Sequence, residues 1–455
     1  MKSSGREEQA DVLILGAGPA GLMAALGAAG LSASNFDLRK NRKKIFLIEK
    51  MPKPGRKLLI AGSGRCNVTH AGPIDDFFTH YGQDVRKARF VKPALMNFTN
   101  QNLVAFLASR GLPCVELNDG KIFPRSENSR DVLRVLLEAC EDAGVRILCG
   151  EEVTDLSRNE ETSIFETKTR SGWAFQAEKL VCAVGGKSFP ATGSTGDGQI
   201  LARLFNLPFV ELRPALTPVT VKAYAFASCA GIALPEMLVT LWRSGKKLAE
   251  RRGDVLFTHH GLSGPGILDF SRDFLPGDEL HLTLAEGLED ARLNELFQEN
   301  PQKEIGNLIR TEFRLPDRFV AELLRTEGVS AEMKAWEVTK KTRKTLLKLL
   351  KDFALVIQNL GGFREAMVTA GGIALEQVNR QTMESRLVPG LYFAGEVLDV
   401  DGDTGGFNLQ FAFSSGLLAG QSAGASQTGA SQTGASQTGA SQTGASQTGA
   451  SQTGA

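Results

Sequence analysis

Three glycines spaced Gly-x-Gly-x-x-Gly, in Gly16-Ala17-Gly18-Pro19-Ala20-Gly21, follow one apolar run and lead into an alanine-rich stretch. That pattern suits a dinucleotide pyrophosphate. The first glycine makes a tight turn, the second lets backbone approach the phosphates, and the third lets helix and strand pack closely. Free N–H groups and the dipole of the following helix then favour negative charge. Glu49 ends a second apolar run, IFLIEK at 45–50, 28 residues beyond Gly21. A carboxylate there can accept from both ribose hydroxyls of an adenosine and disfavours a 2′-phosphate. The spacing exceeds the usual figure of about 20, which a longer polar loop explains.

Three further segments fit a long cofactor with distant contacts. Pro54-Gly55-Arg56-Lys57 through Gly62-Ser63-Gly64-Arg65-Cys66-Asn67 combines glycines with basic residues able to neutralise a pyrophosphate and donors able to reach a flavin ring. Ala183-Val184-Gly185-Gly186 ends another apolar run in a glycine pair that lets backbone pass close to the cofactor. Gly395-Glu396 through Asp403-Thr404-Gly405-Gly406-Phe407-Asn408-Leu409-Gln410 sets a glycine pair before a helix whose N-terminus suits negative charge on a reduced flavin. Lys50 and Val153 complete the expected cofactor contacts. Together these segments point to FAD as the resident cofactor.

The catalytic candidates are Cys66 and the pair His259 and His260, which precede Gly261-Leu262-Ser263-Gly264-Pro265. A thiol in the GSGRCN loop could face the flavin, and an imidazole beside the ring could act as acid or base. No second cysteine follows Cys66 before Cys114, so a Cys-x4-Cys dithiol relay is absent. The plain alternatives are a buried small apolar residue for Cys66 and a hydrogen-bonded strand-turn histidine for the pair.

The elements that must hold these residues follow from periodicity. DVLILG at 11–16 and IFLIEK read as buried parallel strands around a helix that starts at Pro19, a β-α-β unit. SIFETKTRSGWAFQAEKLVCAVGG alternates across a Ser-Gly turn, a hairpin that feeds a buried strand. From about 206 to 288 prolines and short β-rich runs predict a small antiparallel sheet or barrel, and 289–352 turns polar and helix-forming. Lys340, Lys341, Arg343, Lys344, Lys348 and Lys351 alternate there with leucines, an amphipathic helix whose basic face reads as solvated surface.

The chain has 455 residues, of which 42% are hydrophobic and 23% charged, an ordinary globular composition. With 52 basic and 51 acidic residues it has no long-range field for DNA or an anionic membrane, which argues against nucleic acid as a general partner. Six cysteines without zinc spacing fit reduced thiols and no metal. No apolar run is long enough to span a membrane, so a cytoplasmic location is expected. From Ala425 to Gly454 the pentad Ala-Ser-Gln-Thr-Gly repeats six times, without a charged, aromatic or branched aliphatic residue, and is expected to be a disordered tail.

GRKLLIAGSGRCNVTH, FTHHGLSGPGIL, TAGGIALEQV with TMESR, and LYFAGEVLDVDGDTGGFNLQFAFSSGLLAG resemble the signature segments of the BaiN/YhiN-type flavoproteins, a family of NAD(P)/FAD-dependent, aminoacetone-oxidase-like oxidoreductases. The resemblance spans roughly 10–424 and departs in the long loop before Ile45 and in the repeat tail. It implies an α/β fold in which a Rossmann-type FAD/NAD(P)-binding domain is interrupted by a β-barrel-like insert with a small helical subdomain. The expected parts are 10–205 and 353–424 for the FAD domain, 206–288 for the β-rich insert, 289–352 for the helical subdomain and 425–455 for the tail. It also implies FAD contacts at Ala17, Glu49, Arg56, Lys57, Asn67, Glu396, Asn408 and Leu409. The function expected is hydride passage between NADH or NADPH, flavin N5 and a small organic substrate with an activated C=C bond. No second Gly-x-Gly-x-x-Gly is present, so the nicotinamide is expected to bind transiently. An RNA-modifying flavoenzyme and a non-catalytic flavin redox sensor are the alternatives.

Overall fold

The strand Arg6–Leu15 lies at the centre of the main sheet, paired in parallel with Ile45–Glu49 on one side and Trp173–Cys182 on the other. A computed structural model describes residues 6–38, 43–82 and 84–425. The repeats expected to form a disordered tail lie outside the described residues. The central run is apolar on both faces because helices cover both, and Val12, Leu13 and Ile14 are buried. Arg146–Cys149 extends one edge, the antiparallel strands Phe165–Thr169 and Val153–Arg158 extend the other, and Leu391–Phe393 joins Trp173–Cys182 in parallel.

Register decides where the site forms. Leu15 stands opposite both Ile48 and Cys182, and Phe393 opposite Cys182. The residues that follow these strands, Gly16, Glu49, Ala183 and Gly395, therefore gather at the carboxyl edge of the sheet, the usual ligand-binding edge of open α/β folds.

The first helix, Pro19–Ala29, has proline at its first turn and ends at Gly30, whose φ of 111° only glycine adopts readily. Its apolar residues run around the whole circumference, and Ala20 through Ala28 are all buried. It packs along the closing helix Phe407–Gly424 through small residues. A Cβ on Gly416 would stand 2.2 Å from the Ala20 carbonyl oxygen, and one on Gly420 would stand 2.0 Å from that of Ala24. The two helix backbones touch, so these positions admit no side chain.

The insert contains a closed six-stranded barrel: Val219–Val221, Gly261–Ser263, Lys246–Phe257, Ala233–Arg243, Glu279–Thr283 and Phe353–Leu360. The last of these, which the sequence reading gives to the second part of the FAD domain, closes the barrel between Glu279–Thr283 and Val219–Val221. Its apolar alternation suits either place, and only the long-range pairing decides. Below it, Phe209–Ala215 pairs antiparallel with Val368–Ile373 as a two-stranded stem. Helices Asp290–Glu299, Ile305–Phe313, Asp317–Thr326 and Lys340–Lys351 share one hydrophobic core with the barrel, centred on Phe226, Phe257, Phe319 and Phe353. In the basic helix Leu346, Leu349 and Leu350 are buried, the lysines are exposed, and Arg343 is tied to Asp290 at 2.9 Å.

Among the described residues no helix is long and apolar enough to cross a membrane, and no group of three or more His, Cys, Asp or Glu side chains is placed to hold a metal ion.

Candidate functional site

A large cleft of ≈ 1230 Å³ opens along the carboxyl edge of the sheet. It exceeds the roughly 300–1,000 Å³ of ordinary small-molecule pockets, enough for a dinucleotide and a substrate together. Of the expected cofactor contacts, Gly16, Gly18, Ala20, Glu49, Lys50, Arg56, Lys57, Arg65, Asn67, Val153, Ala183, Gly185, Glu396, Asp403, Gly406, Asn408 and Leu409 line it. Ala17, Gly21, Gly64, Cys66, Gly186 and Gly395 stand behind that wall. Two of them are fixed by close packing: a Cβ on Gly21 would lie 1.8 Å from the Gly16 carbonyl oxygen, and one on Gly186 would lie 2.4 Å from Thr369 Oγ1.

Glu49 is fixed by the backbone on both sides. Its Oε2 accepts from the Ala17 N–H at 2.9 Å and its Oε1 from the Met51 N–H at 2.8 Å. Each oxygen keeps a lone pair for a ribose hydroxyl. Lys50 is held by Asp197 at 2.6 Å and Thr195 at 2.6 Å. Across the cleft Lys57 Nζ meets Glu396 Oε2 at 2.6 Å and Ser188 Oγ at 2.5 Å, while the other Glu396 oxygen accepts from the Thr369 N–H at 2.8 Å. Lysine 57 thus presents a charge already balanced by Glu396, and both stand fixed along the wall.

The third segment folds as a braced loop before the closing helix. Asn408 Nδ2 donates to the carbonyls of Gly402 and Asp403, and its Oδ1 accepts from the Gly402 N–H at 2.8 Å, so its amide serves the loop itself. Burial pushes the Asp403 carboxyl up, but the hydrogen bond with His80 and the charges of Arg251 and Arg272 outweigh it and hold the carboxyl below its ordinary value. Asp269 behaves oppositely. Burial, and then the neighbouring Asp403 charge, push it from 3.8 up to about 6.

Three observations test the site against FAD. A Cβ on Gly18, at the mouth of the first helix, would meet no protein atom within 4 Å, so the backbone there is open to the cleft it lines and leaves room for a ligand to approach. The helix that starts there has no side-chain cap, leaving its first N–H groups for a pyrophosphate. Asn67 Oδ1 is buried without a hydrogen-bond partner on a residue that lines the cleft, a free acceptor for a donor such as flavin N3–H. The residues present fit the cofactor.

The catalytic candidates do not reach this cleft. Cys66 is fully buried at a φ of 64°, which turns its side chain into the core, and burial pushes its thiol up to about 12. Such a thiol stays protonated and shut away. His259 and His260 are exposed at the turn between Lys246–Phe257 and Gly261–Ser263 and line a separate depression with Tyr224 and Asn359. A role for either histidine beside the ring does not fit that placement. Sequence reasoning missed Arg251, Asp269 and Arg272 of the insert, together with His80, which converge on the loop at Asp403. With Asp403 they are scattered over more than 300 residues, and no local pattern joins them.

Residues 10–422 match the family model described as the HI0933-like protein Rossmann domain. The chain belongs to the HI0933-like family. The resemblance read from the glycine-rich segments names the same family, and the protein is an FAD-dependent oxidoreductase. Similar proteins include the ribosomal RNA dihydrouridine synthase of Escherichia coli, 30% identical over 92% of this chain and 100% of that relative. The protein of the same name from Haemophilus influenzae is 32% identical over 89% of this chain and 96% of its own length. The 3-dehydro-bile acid delta(4,6)-reductase of Clostridium scindens is 31% identical over 90% of this chain and 98% of its own. The HI0933-like match runs through both FAD-domain segments and the whole insert.

Proposed function

We propose that this protein reduces a carbon–carbon double bond conjugated to a carbonyl, drawing its electrons from NADH or NADPH. One observation carries the reading. Relatives 30% and 31% identical to this chain are named for making dihydrouridine in ribosomal RNA and for reducing a 3-dehydro-bile acid at delta(4,6). The chemistry common to those names is saturation of a conjugated ring double bond.

Bound FAD would supply the two-electron redox chemistry. Glu49 would orient the adenosine ribose, the N-terminus of Pro19–Ala29 would hold the pyrophosphate, and Asn67 with the loop at Gly405–Gly406 would hold the ring. Leu216, Pro265, Leu268, Met367 and Val368 bring an apolar wall from the insert and its stem, suited to a flat unsaturated ring and to exclusion of water. Thr404 supplies a hydroxyl on the same cleft. Anaerobic holoenzyme should be bleached by NADH or NADPH and recover its colour on addition of a cyclic enone or a uridine-containing RNA. Failure of both nicotinamides to bleach it, or recovery with oxygen alone, sinks the proposal.

A second reading places the double bond in a uracil of RNA. The exposed lysines 340, 341, 344, 348 and 351 on one helix face favour it, beside the names of two relatives. Arg343 is not free for this purpose, being paired with Asp290. Neutralising Lys340, Lys341 and Lys344 should weaken RNA binding and flatten its salt dependence. Unchanged binding decides for a small-molecule substrate.

A further inference from the structure

The cofactor-facing loop is gripped by the insert at three points. Arg251, on the barrel strand Lys246–Phe257, donates from Nη2 to Asp403 Oδ2. Arg272 Nη2 donates to Asp403 Oδ1 at 2.8 Å. Asp269 accepts from the Thr404 N–H at 2.6 Å and from the Thr404 hydroxyl at 3.1 Å. The next residues in the chain, Gly405 and Gly406, wall the cleft.

The FAD domain braces the backbone of this loop, through Asn408 and through the Asp403 N–H donating to the His80 carbonyl at 2.8 Å, but hardly reaches its carboxylate. On its side, among the described residues, only His80, with Nδ1 3.1 Å from Asp403 Oδ2, reaches the Asp403 carboxylate, and the Asp403 side chain is only 4% exposed. A carboxylate so buried is strongly destabilised when its cationic partners leave. If the barrel swings away, Asp403 must follow its arginines or find water, and either movement displaces Thr404 through Gly406. Conversely, a flavin seated against Gly405 and Gly406 fixes Asp403 where both guanidinium groups can reach it.

We propose that Arg251, Arg272 and Asp269 are positioning residues for the cofactor: they hold the loop in its flavin-receiving shape and so couple placement of the insert to FAD binding. The inference rests on the reading of this cleft as the FAD site. A coupling of this kind is reciprocal, so what tightens FAD must also steady the barrel.

The test uses the holoenzyme. Release of FAD, followed by the return of flavin fluorescence on dilution, should be about 5- to 150-fold faster in Arg251→Gln and Arg272→Gln, the usual range for coupled sites. Arg251→Lys should recover part of the loss. Arg243→Gln, which removes a barrel arginine paired with Asp278 instead of with the loop, should release FAD at the unaltered rate. Equal release from all these variants overturns the proposal. Should the glutamine variants fail to fold, hydrogen exchange of the unaltered protein decides alone: saturating FAD should slow exchange within Lys246–Phe257 and 269–273. Unchanged exchange there overturns the coupling while leaving FAD binding intact. An unaltered protein that takes up no FAD removes the cofactor reading and this inference together.

Discussion

Replacing Gly18 with alanine should separate the cofactor from the fold. The backbone at Gly18 has φ −82° and ψ −177°, which any residue adopts, and a Cβ there would touch no protein atom within 4 Å. Alanine therefore adds no strain to the folded chain while restricting the unfolded one. The FAD-free protein should gain about 0.4–1 kcal/mol in stability. The same methyl group enters the space where a pyrophosphate must meet the backbone. Loss of one charge-assisted hydrogen bond is worth about 1.5–3 kcal/mol, roughly a 10- to 150-fold rise in Kd. Urea unfolding of the FAD-free forms and fluorescence titration with FAD measure the two effects separately. Equal FAD affinity in both proteins, or a variant that is less stable without FAD, would refute the reasoning, because either result means that the space beside Gly18 is not reserved for the phosphates.

Gly420→Ala should do the reverse, costing about 1–3 kcal/mol of stability in the same urea assay through contact with the Ala24 carbonyl; an unchanged midpoint would show that the two helices separate easily. Glu49→Ala removes the acceptor of two backbone N–H groups as well as the ribose contact, and equilibrium dialysis should show FAD binding at least about tenfold weaker. Cys66 should resist alkylation at pH 8 in the folded protein, its thiol being pushed up to about 12 by burial, and mass spectrometry that found it modified would contradict the buried placement. The Asp269 carboxyl is raised from 3.8 to about 6, so between those values the folded chain binds more protons than the unfolded one. The stability this group contributes is complete below about pH 4 and is lost as the pH rises through 6. Asp269→Asn should flatten that decline in unfolding free energy, and an identical slope in both proteins would count against it.

The sheet and its glycine edge were legible because they depend on short-range patterns. A strand buried on both faces must be a continuous apolar run, and a turn that admits backbone to a phosphate must be glycine, so DVLILG and Gly16 through Gly21 announce themselves. The direction of a side chain within a loop is set differently. Cys66 sits among glycines that turn the chain, and its positive φ sends the thiol inward, which no neighbouring residue signals. His259 and His260 misled because Pro265, five residues on, does line the cleft. The three-residue strand Gly261–Ser263 carries the chain from the separate depression to the cleft between them. Phe353–Leu360 went to the wrong part for the same kind of reason, since its barrel partners lie more than 70 residues upstream. The convergence on Asp403 was invisible because charged residues 130 to 320 positions apart meet only when the insert docks.

The contact between the first and last helices has a consequence for how the protein is made. The helix Pro19–Ala29 is translated some 400 residues before the glycines of the closing helix that it packs against, Gly416 on Ala20 and Gly420 on Ala24. At about 5–20 residues per second that is a wait of roughly 20–80 s. Until Leu391–Phe393 emerges, the edge of Trp173–Cys182 that it will cover has no parallel partner, and the buried face of Pro19–Ala29 has no Gly416 or Gly420 to lie against. A nascent chain in that interval presents an open sheet edge and a wholly apolar helix, the surfaces that holding chaperones recognise and that aggregate when left alone. The cleft thus takes its full shape only once Phe407–Gly424 has been made.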